Sequence, residues 1–131
     1  MNKFDKKILI ISSLLGALTV IIGAFGAHGL KQMADAQSVA SFETGVRYQM
    51  YHVIVLFVVG CVPFISEKGK KWVFRFFLLG ILLFSGSIYL LALKEVLPIP
   101  SKILGPITPL GGVAFILGWL RLAFDFRTLK S

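Results

Sequence analysis

The hydrophobic positions of this chain fall into four long runs that are separated by charged residues. The runs cover residues 8–27, 48–66, 76–93 and 103–120, each 18 to 20 residues long. About 20 residues of α-helix, at a rise of about 1.5 Å each, cross a hydrocarbon core of roughly 30 Å. Backbone groups in lipid must bond within their own segment, so each run is predicted to be helical. We therefore predict an all-α fold, an integral membrane bundle of four transmembrane helices that forms a single domain over residues 1–131.

The longest connection, residues 28–47, changes its pattern halfway along. From near Ser38 onward its apolar residues recur at helical spacing. They are Val39, Phe42, Val46 and Met50. Glu43 and Arg47 lie four residues apart, in the order that favours an ion pair on a helix. This half is therefore predicted to be an amphipathic extension that precedes the second transmembrane helix.

The other two connections are short. Residues 67–75 are interpreted as a tight basic loop, and residues 94–102 hold Pro98 and Pro100, which exclude a regular helix. The first apolar run exceeds the 7–15 residues that are usual for the apolar region of a signal peptide. We therefore predict that it stays in the protein as the first transmembrane helix.

The distribution of basic residues predicts the orientation. Ten Lys and Arg side chains lie on the side of the two termini and the second loop, and four lie on the other side. The four are Lys31, Arg47, Lys94 and Lys102. Because basic loops stay in the cytoplasm, both termini are predicted to be cytoplasmic. Trp72 and Trp119, which we place near the inner ends of helices three and four, are typical of a membrane interface.

The composition supports a membrane protein over a soluble one. Hydrophobic residues make up 56% of the chain and charged residues only 15%, against about 25% charged in soluble domains. A net charge of +8 could indicate nucleic acid as a partner. The basic residues, however, flank the apolar runs as membrane anchors do, so nucleic-acid binding is rejected. Cys61 is the only cysteine, which excludes an intramolecular disulfide.

Small residues form a stripe along the first run at steps of four and three. They are Ser12, Gly16, Thr19, Gly23 and Gly26. This spacing is the seam of left-handed helix packing, where small residues let backbones approach closely. Gly111 and Gly118 repeat the pattern in the fourth run. We interpret both stripes as intrachain packing faces, with self-association as the alternative.

The polar residues next to the first two runs are the candidates for a functional site. They are His28, Glu43, Arg47, Tyr48, Gln49 and His52. Helix one exits where helix two enters, so these residues are predicted to form one polar cluster at the outer ends of both helices. An ionisable group inside a membrane suggests a function by default. Three interpretations stay open: a structural cluster, a metal or bis-histidine haem site, and a small-ligand or proton-handling site.

Catalytic chemistry finds no support in the sequence. No nucleophile, base and orienting residue occur together, and no phosphate-binding loop is present. No catalytic, metal-ligand or cofactor set is therefore predicted, and the protein is expected not to be an enzyme. Charged residues lie at the ends of the runs rather than inside them, which disfavours an ion-coupled transporter.

Three segments together resemble the YgdD/YwdK-like family of small bacterial membrane proteins, a family of unknown function. They are residues 23–30 (GAFGAHGL), 42–52 (FETGVRYQMYH) and 105–112 (GPITPLGG). The resemblance covers nearly the whole chain and implies a four-helix protein of the bacterial plasma membrane with no established reaction. It carries over eight motif residues: His28, Glu43, Arg47, Tyr48, Gln49, His52, Thr108 and Pro109.

The leading functional hypothesis is a non-enzymatic membrane protein that supports membrane integrity or organises other membrane proteins. Its partners are then the lipid bilayer and either other membrane proteins or further copies of the chain. One alternative is a module that binds a small ligand, metal or haem through His28 and His52. A second alternative is a small transporter or channel.

Overall fold

The computed structural model describes residues 1–130 and consists of four long helices with short connections. The helices are α1 (Lys3–Ala27), α2 (Ala36–Cys61), α3 (Glu67–Ala92) and α4 (Ser101–Arg127). A single 3₁₀ turn, Leu30–Gln32, lies between α1 and α2. No strand occurs in residues 1–130, so the all-α prediction is confirmed. By length and composition, α1, α3 and α4 can each cross a membrane.

The amphipathic extension is part of α2, which starts two residues earlier than expected. Asp35 caps the helix, because its carboxylate accepts a hydrogen bond of 2.7 Å from the Ser38 backbone N–H. Val39 and Phe42 of the extension are buried. An aspartate at this position satisfies a backbone donor that the first helical turn leaves free. The helical spacing thus predicted the element correctly, and the cap defines where it begins.

Two boundaries that were taken from charged residues are wrong. Helix α2 ends at Cys61 and not at residue 66, because Pro63 forces the preceding Val62 out of the helical region to ψ 118°. Residues 67–75 are not a loop but the first turns of α3. That helix begins at Glu67, where the Ser66 hydroxyl accepts a hydrogen bond of 2.9 Å from the Gly69 N–H. The basic residues of this segment therefore belong to α3 and do not interrupt it.

The small-residue stripe of α1 packs against α2. Ser12, Thr19 and Gly26 are buried. A Cβ added at Gly26 would lie 2.7 Å from the Phe42 ring, and one at Gly23 would lie 3.3 Å from Val46. Small residues thus bring the two antiparallel helices together within the chain, as the intrachain interpretation requires.

Helices α3 and α4 approach backbone to backbone at Gly111. A Cβ at this position would collide with the main chain of Leu83 and Phe84. This contact lies beside a π-helical turn, Ile81–Ser85, that interrupts α3. Two turns further along α4, Gly118 leaves room for the ring of Phe77. The second stripe is therefore also an intrachain packing face.

Ionic contacts join the helices at the end of the molecule that carries both termini. Lys70 of α3 is only 3% exposed, and its Nζ donates to Asp5 of α1 at 2.9 Å. This hydrogen bond holds the pKa of Asp5 below its usual range. At the same end, Asp125 of α4 accepts hydrogen bonds from the Ser66 backbone N–H at 2.9 Å and from the Ser66 hydroxyl at 2.6 Å. These contacts position α1 and α4 against the start of α3.

The adjacent glycines 111 and 112 allow a matched test of helix packing. We expect Gly111→Ala to lower the free energy of unfolding in detergent by about 1–3 kcal/mol, because the added methyl group pushes two backbones apart. Gly112→Ala meets only Phe84 Cδ2 at 3.9 Å and should be neutral or stabilising, since alanine favours a helix over glycine by about 1 kcal/mol. Unfolding followed by circular dichroism measures both. Equal effects of the two substitutions would contradict the backbone contact.

Candidate functional site

Gln49 joins three helices inside the bundle. Its side chain is 2% exposed, and its Nε2 donates to the Thr19 hydroxyl of α1 at 2.8 Å. Its Oε1 accepts a hydrogen bond of 2.7 Å from the Tyr89 hydroxyl of α3. The Thr19 hydroxyl in turn donates a hydrogen bond of 2.6 Å to the Leu15 carbonyl. Each of these polar side chains has a partner within the bundle, so the chain stabilises a polar layer with no external ligand.

His52 lies in a separate aromatic site between α2, α3 and α4. Its ring stacks on Phe115, with centroids 3.7 Å apart, and meets the edge of Phe77 at 4.8 Å. Its Nε2 accepts a hydrogen bond of 3.1 Å from the Trp119 indole N–H. Its Nδ1 lies 2.6 Å from the Tyr48 carbonyl. Because Nε2 accepts, Nδ1 carries the proton and donates to that carbonyl, which describes a neutral imidazole with both nitrogens engaged.

Three hydroxyl side chains connect α3 to its neighbours near the π-helical turn. The Ser85 hydroxyl donates to the Gly45 carbonyl of α2 at 2.7 Å. The Ser87 hydroxyl forms a short hydrogen bond with that of Thr108 on α4. Thr108, one of the residues carried over from the family resemblance, therefore joins two helices. Ser85 and Ser87 are two residues apart, about 200° around the helix, so they reach different neighbouring helices.

The single polar cluster predicted from the sequence does not form. His28 is exposed at the end of α1, and Glu43 and Arg47 are exposed on α2. Arg47 donates to the Thr44 hydroxyl at 3.0 Å and not to Glu43, so the predicted ion pair is wrong. At about 100° per residue, His52 points roughly 180° away from Glu43 around the helix. The helical register thus sends these residues to opposite faces of α2.

The two histidines also lie at different depths. Gly16 of α1 faces Val53, which places His52 level with the middle of α1. His28 is twelve residues further along α1, or about 18 Å along the helix axis. Tyr48 of the predicted cluster is also exposed, and its hydrogen bond with His52 is made by its backbone carbonyl. A shared metal, haem or small ligand between His28 and His52 is therefore incompatible with this geometry.

Sequence reasoning missed Tyr89, Phe115 and Trp119, which complete the two interior sites. Tyr89 is the one tyrosine inside the third apolar run, and a phenol there requires a partner. The position of Tyr89 in an apolar run thus predicts a hydrogen-bond partner for its hydroxyl, but it does not identify Gln49 as that partner. Trp119 was assigned to a membrane interface, although its indole N–H serves His52. Its ring is nevertheless half exposed.

These features define the class of the protein: a helical integral membrane protein with an apolar outer surface and internally paired polar groups. The chain belongs to the family described as protein of unknown function (DUF423), whose model matches residues 22–112. It is 40% identical to the UPF0382 membrane protein YwdK of Bacillus subtilis, over 89% of this chain and 93% of that protein. UPF0382 membrane proteins of Staphylococcus epidermidis and Haemophilus influenzae are 41% and 38% identical, each over 95% of this chain and 97% of the relative. No solved structure matches the chain.

The Gln49 layer can be tested by a double-mutant cycle. Tyr89→Phe removes one donor, and we expect it to lower the free energy of unfolding by about 1 kcal/mol. Gln49→Leu leaves the Tyr89 hydroxyl without its acceptor and removes the donor to Thr19, which keeps its own hydrogen bond to the Leu15 carbonyl, and should cost about 1–3 kcal/mol. The double variant should lose less free energy of unfolding than the two single variants lose together, because both single substitutions remove the same hydrogen bond between Gln49 and Tyr89. Strict additivity in detergent unfolding would show that the two side chains do not interact.

Proposed function

We propose that the protein is a non-enzymatic component of the bacterial plasma membrane that supports membrane integrity or organises other membrane proteins. Its polypeptide crosses the bilayer four times, and both termini lie in the cytoplasm. The observation that carries this proposal is the internal pairing of the polar side chains. Gln49, His52 and Ser85 each bond to another helix of the same chain. Hydrogen bonds of this kind stabilise one arrangement of the helices, which supports a structural role for these side chains.

Helix α2 is the fourth span in this proposal. It is 26 residues long, which corresponds to about 39 Å and exceeds a bilayer core. Two of its polar residues, Gln49 and His52, are buried between helices and do not face lipid. Arg47 lies closer to the start of the helix, and a long basic side chain there can extend to the membrane surface. The polar character of α2 thus belongs to the interior of the bundle.

The face of α1 that points away from α2 is a candidate surface for other membrane proteins. Leu14 and Ile21 on this face are each 66% exposed. Neither belongs to the small-residue stripe that packs on α2. A photo-crosslinking residue at either position in living cells should capture neighbouring membrane proteins if the protein organises them. Labelling of lipid alone would favour the role in membrane integrity.

The orientation can be tested by cysteine accessibility in a Cys61→Ser background, since Cys61 is exposed. Lys31→Cys should react with a membrane-impermeant maleimide in intact cells, and Lys68→Cys should react only after permeabilisation. Both lysines are exposed, so the maleimide can reach a cysteine at either position from the adjoining solution. Lys70 is unsuitable because it is buried, and a cysteine there would be protected from the reagent on either side of the membrane. Labelling of both positions from outside would show that α2 does not cross. The reverse pattern would place the termini outside.

The non-enzymatic role can be tested by complementation. Disruption of the gene should increase uptake of a membrane-impermeant dye, and the wild-type chain should restore the barrier. His52→Phe keeps a flat ring beside Phe115 but removes both hydrogen bonds of the imidazole. If the role is structural, a His52→Phe protein that reaches wild-type levels in the membrane should also restore the barrier. Loss of function in such a variant would overturn the proposal in favour of chemistry at the imidazole.

A further inference from the structure

A groove of about 610 Å³ opens between the first turns of α2, the last turns of α3 and the first turns of α4. Its size is within the range of small-ligand sites. None of the interior contacts described above closes it. It lies at one end of α2 and α4 and at the opposite end of α3, beside the connection between α3 and α4.

The walls of the groove combine hydroxyl and aliphatic side chains. Ser41 and Thr44 line it on the side of α2, whereas Ile88 and Leu91 line it on the side of α3. A hydrocarbon chain can lie on the two aliphatic side chains, and the Ser41 hydroxyl can donate a hydrogen bond to an ester oxygen, whereas the Thr44 hydroxyl already donates to the Ala40 carbonyl. The lining therefore matches a molecule that is itself amphipathic.

Helix α4 leaves the third wall open. A Cβ added at Gly105 would meet nothing within 4 Å, so a missing side chain contributes to the space. Pro109, which also lines the groove, has no backbone N–H to donate to the Gly105 carbonyl four residues earlier. That carbonyl therefore lacks the partner that it would have in a regular helix. Gly105 and Pro109 thus make the α4 wall of the groove irregular as well as open.

The mouth of the groove is acidic. Asp35, Glu95 and Lys94 line it, which amounts to two carboxyl groups and one ammonium group. A hydrogen bond to Asp35 and the negative charge of that carboxylate raise the pKa of the Glu95 carboxyl. The Ser38 N–H, in contrast, lowers the pKa of Asp35 and keeps it ionised. A bound cation would relieve the repulsion between the two carboxylates.

We infer that this groove binds a phospholipid with a primary ammonium headgroup. The ammonium group lies between Asp35 and Glu95, the phosphate faces Lys94, and one acyl chain lies along Ile88 and Leu91. Charge favours this occupant over an anionic lipid, because two carboxylates face a single lysine at the mouth. The aliphatic wall favours a lipid over a soluble amine. This inference is independent of the proposed role in membrane integrity or organisation, because lipid binding is measured on the purified protein.

The test is native mass spectrometry of the full chain in detergent, titrated with dioleoyl phosphatidylethanolamine, phosphatidylcholine or phosphatidylglycerol. The wild-type chain should bind phosphatidylethanolamine about tenfold more tightly than the other two, since only a primary ammonium donates hydrogen bonds to both carboxylates. Asp35→Asn with Glu95→Gln should remove that preference. Asparagine still caps α2, so the fold is kept. Glu43→Gln, an exposed carboxylate outside the groove, is the matched control and should bind as the wild type does.

A second experiment fills the groove with a larger side chain and leaves its charges unchanged. Gly105→Leu should reduce the binding of phosphatidylethanolamine about tenfold, because the side chain occupies the open wall. Gly112→Leu, on the same helix but outside the groove, should not reduce it. Circular dichroism shows that both variants are folded before binding is compared.

Three results would overturn the inference. The first is equal binding of phosphatidylethanolamine and phosphatidylglycerol by the wild-type chain. The second is unchanged binding by both the double variant and Gly105→Leu. The third is displacement of the lipid by water-soluble glycerophosphoethanolamine at equal concentration, which would show that the aliphatic wall of Ile88 and Leu91 takes no part.

Discussion

A polar group inside a bilayer has no water to bond, and this constraint determines the interior of the protein. Gln49 is buried in a helix that also carries His52, and neither could face hydrocarbon without a cost of several kcal/mol. Thr19 and Tyr89 satisfy the amide, while Trp119 and the Tyr48 carbonyl satisfy the imidazole. Each pairing requires a particular neighbour at a particular depth. The polar residues therefore specify which helices are adjacent and how far each is shifted along its axis.

Glycine makes these hydrogen bonds reachable. Two helices whose side chains hold them apart cannot bring a short hydroxyl to a carbonyl on the other helix. At Gly111 the backbones of α3 and α4 touch, and three residues away Thr108 bonds to Ser87. Gly45 is similarly close to α3, and its carbonyl accepts from Ser85. Close approach and polar pairing thus support each other, which is the usual solution where water does not drive helices together.

The polar side chains described in the interior bond to neighbouring helices, so the places where other molecules can be bound lie on the surface. The apolar faces contact lipid, and the groove between α2, α3 and α4 is the place where charge, hydroxyl groups and aliphatic side chains meet. Pro109 and Gly105 disrupt the regular surface of α4 there, in residues 105–112, one of the three segments that carry the family resemblance.

The sequence by itself determined the helices, because hydrophobic length and helical period are local properties. The four elements, the extension with Val39 and Phe42 on its buried face, and the close packing at Gly26 and Gly111 all follow from residues near one another in the chain. Boundaries taken from charge failed at Cys61 and Glu67, because Pro63 and the Ser66 cap act there. The partners of Gln49 and His52 could not be deduced, since Tyr89 and Trp119 are 40 and 67 residues away. Only the packing of whole helices, which fixes the rotation and the depth of each helix together, placed His28 far from His52 and gave Gln49 and His52 their partners.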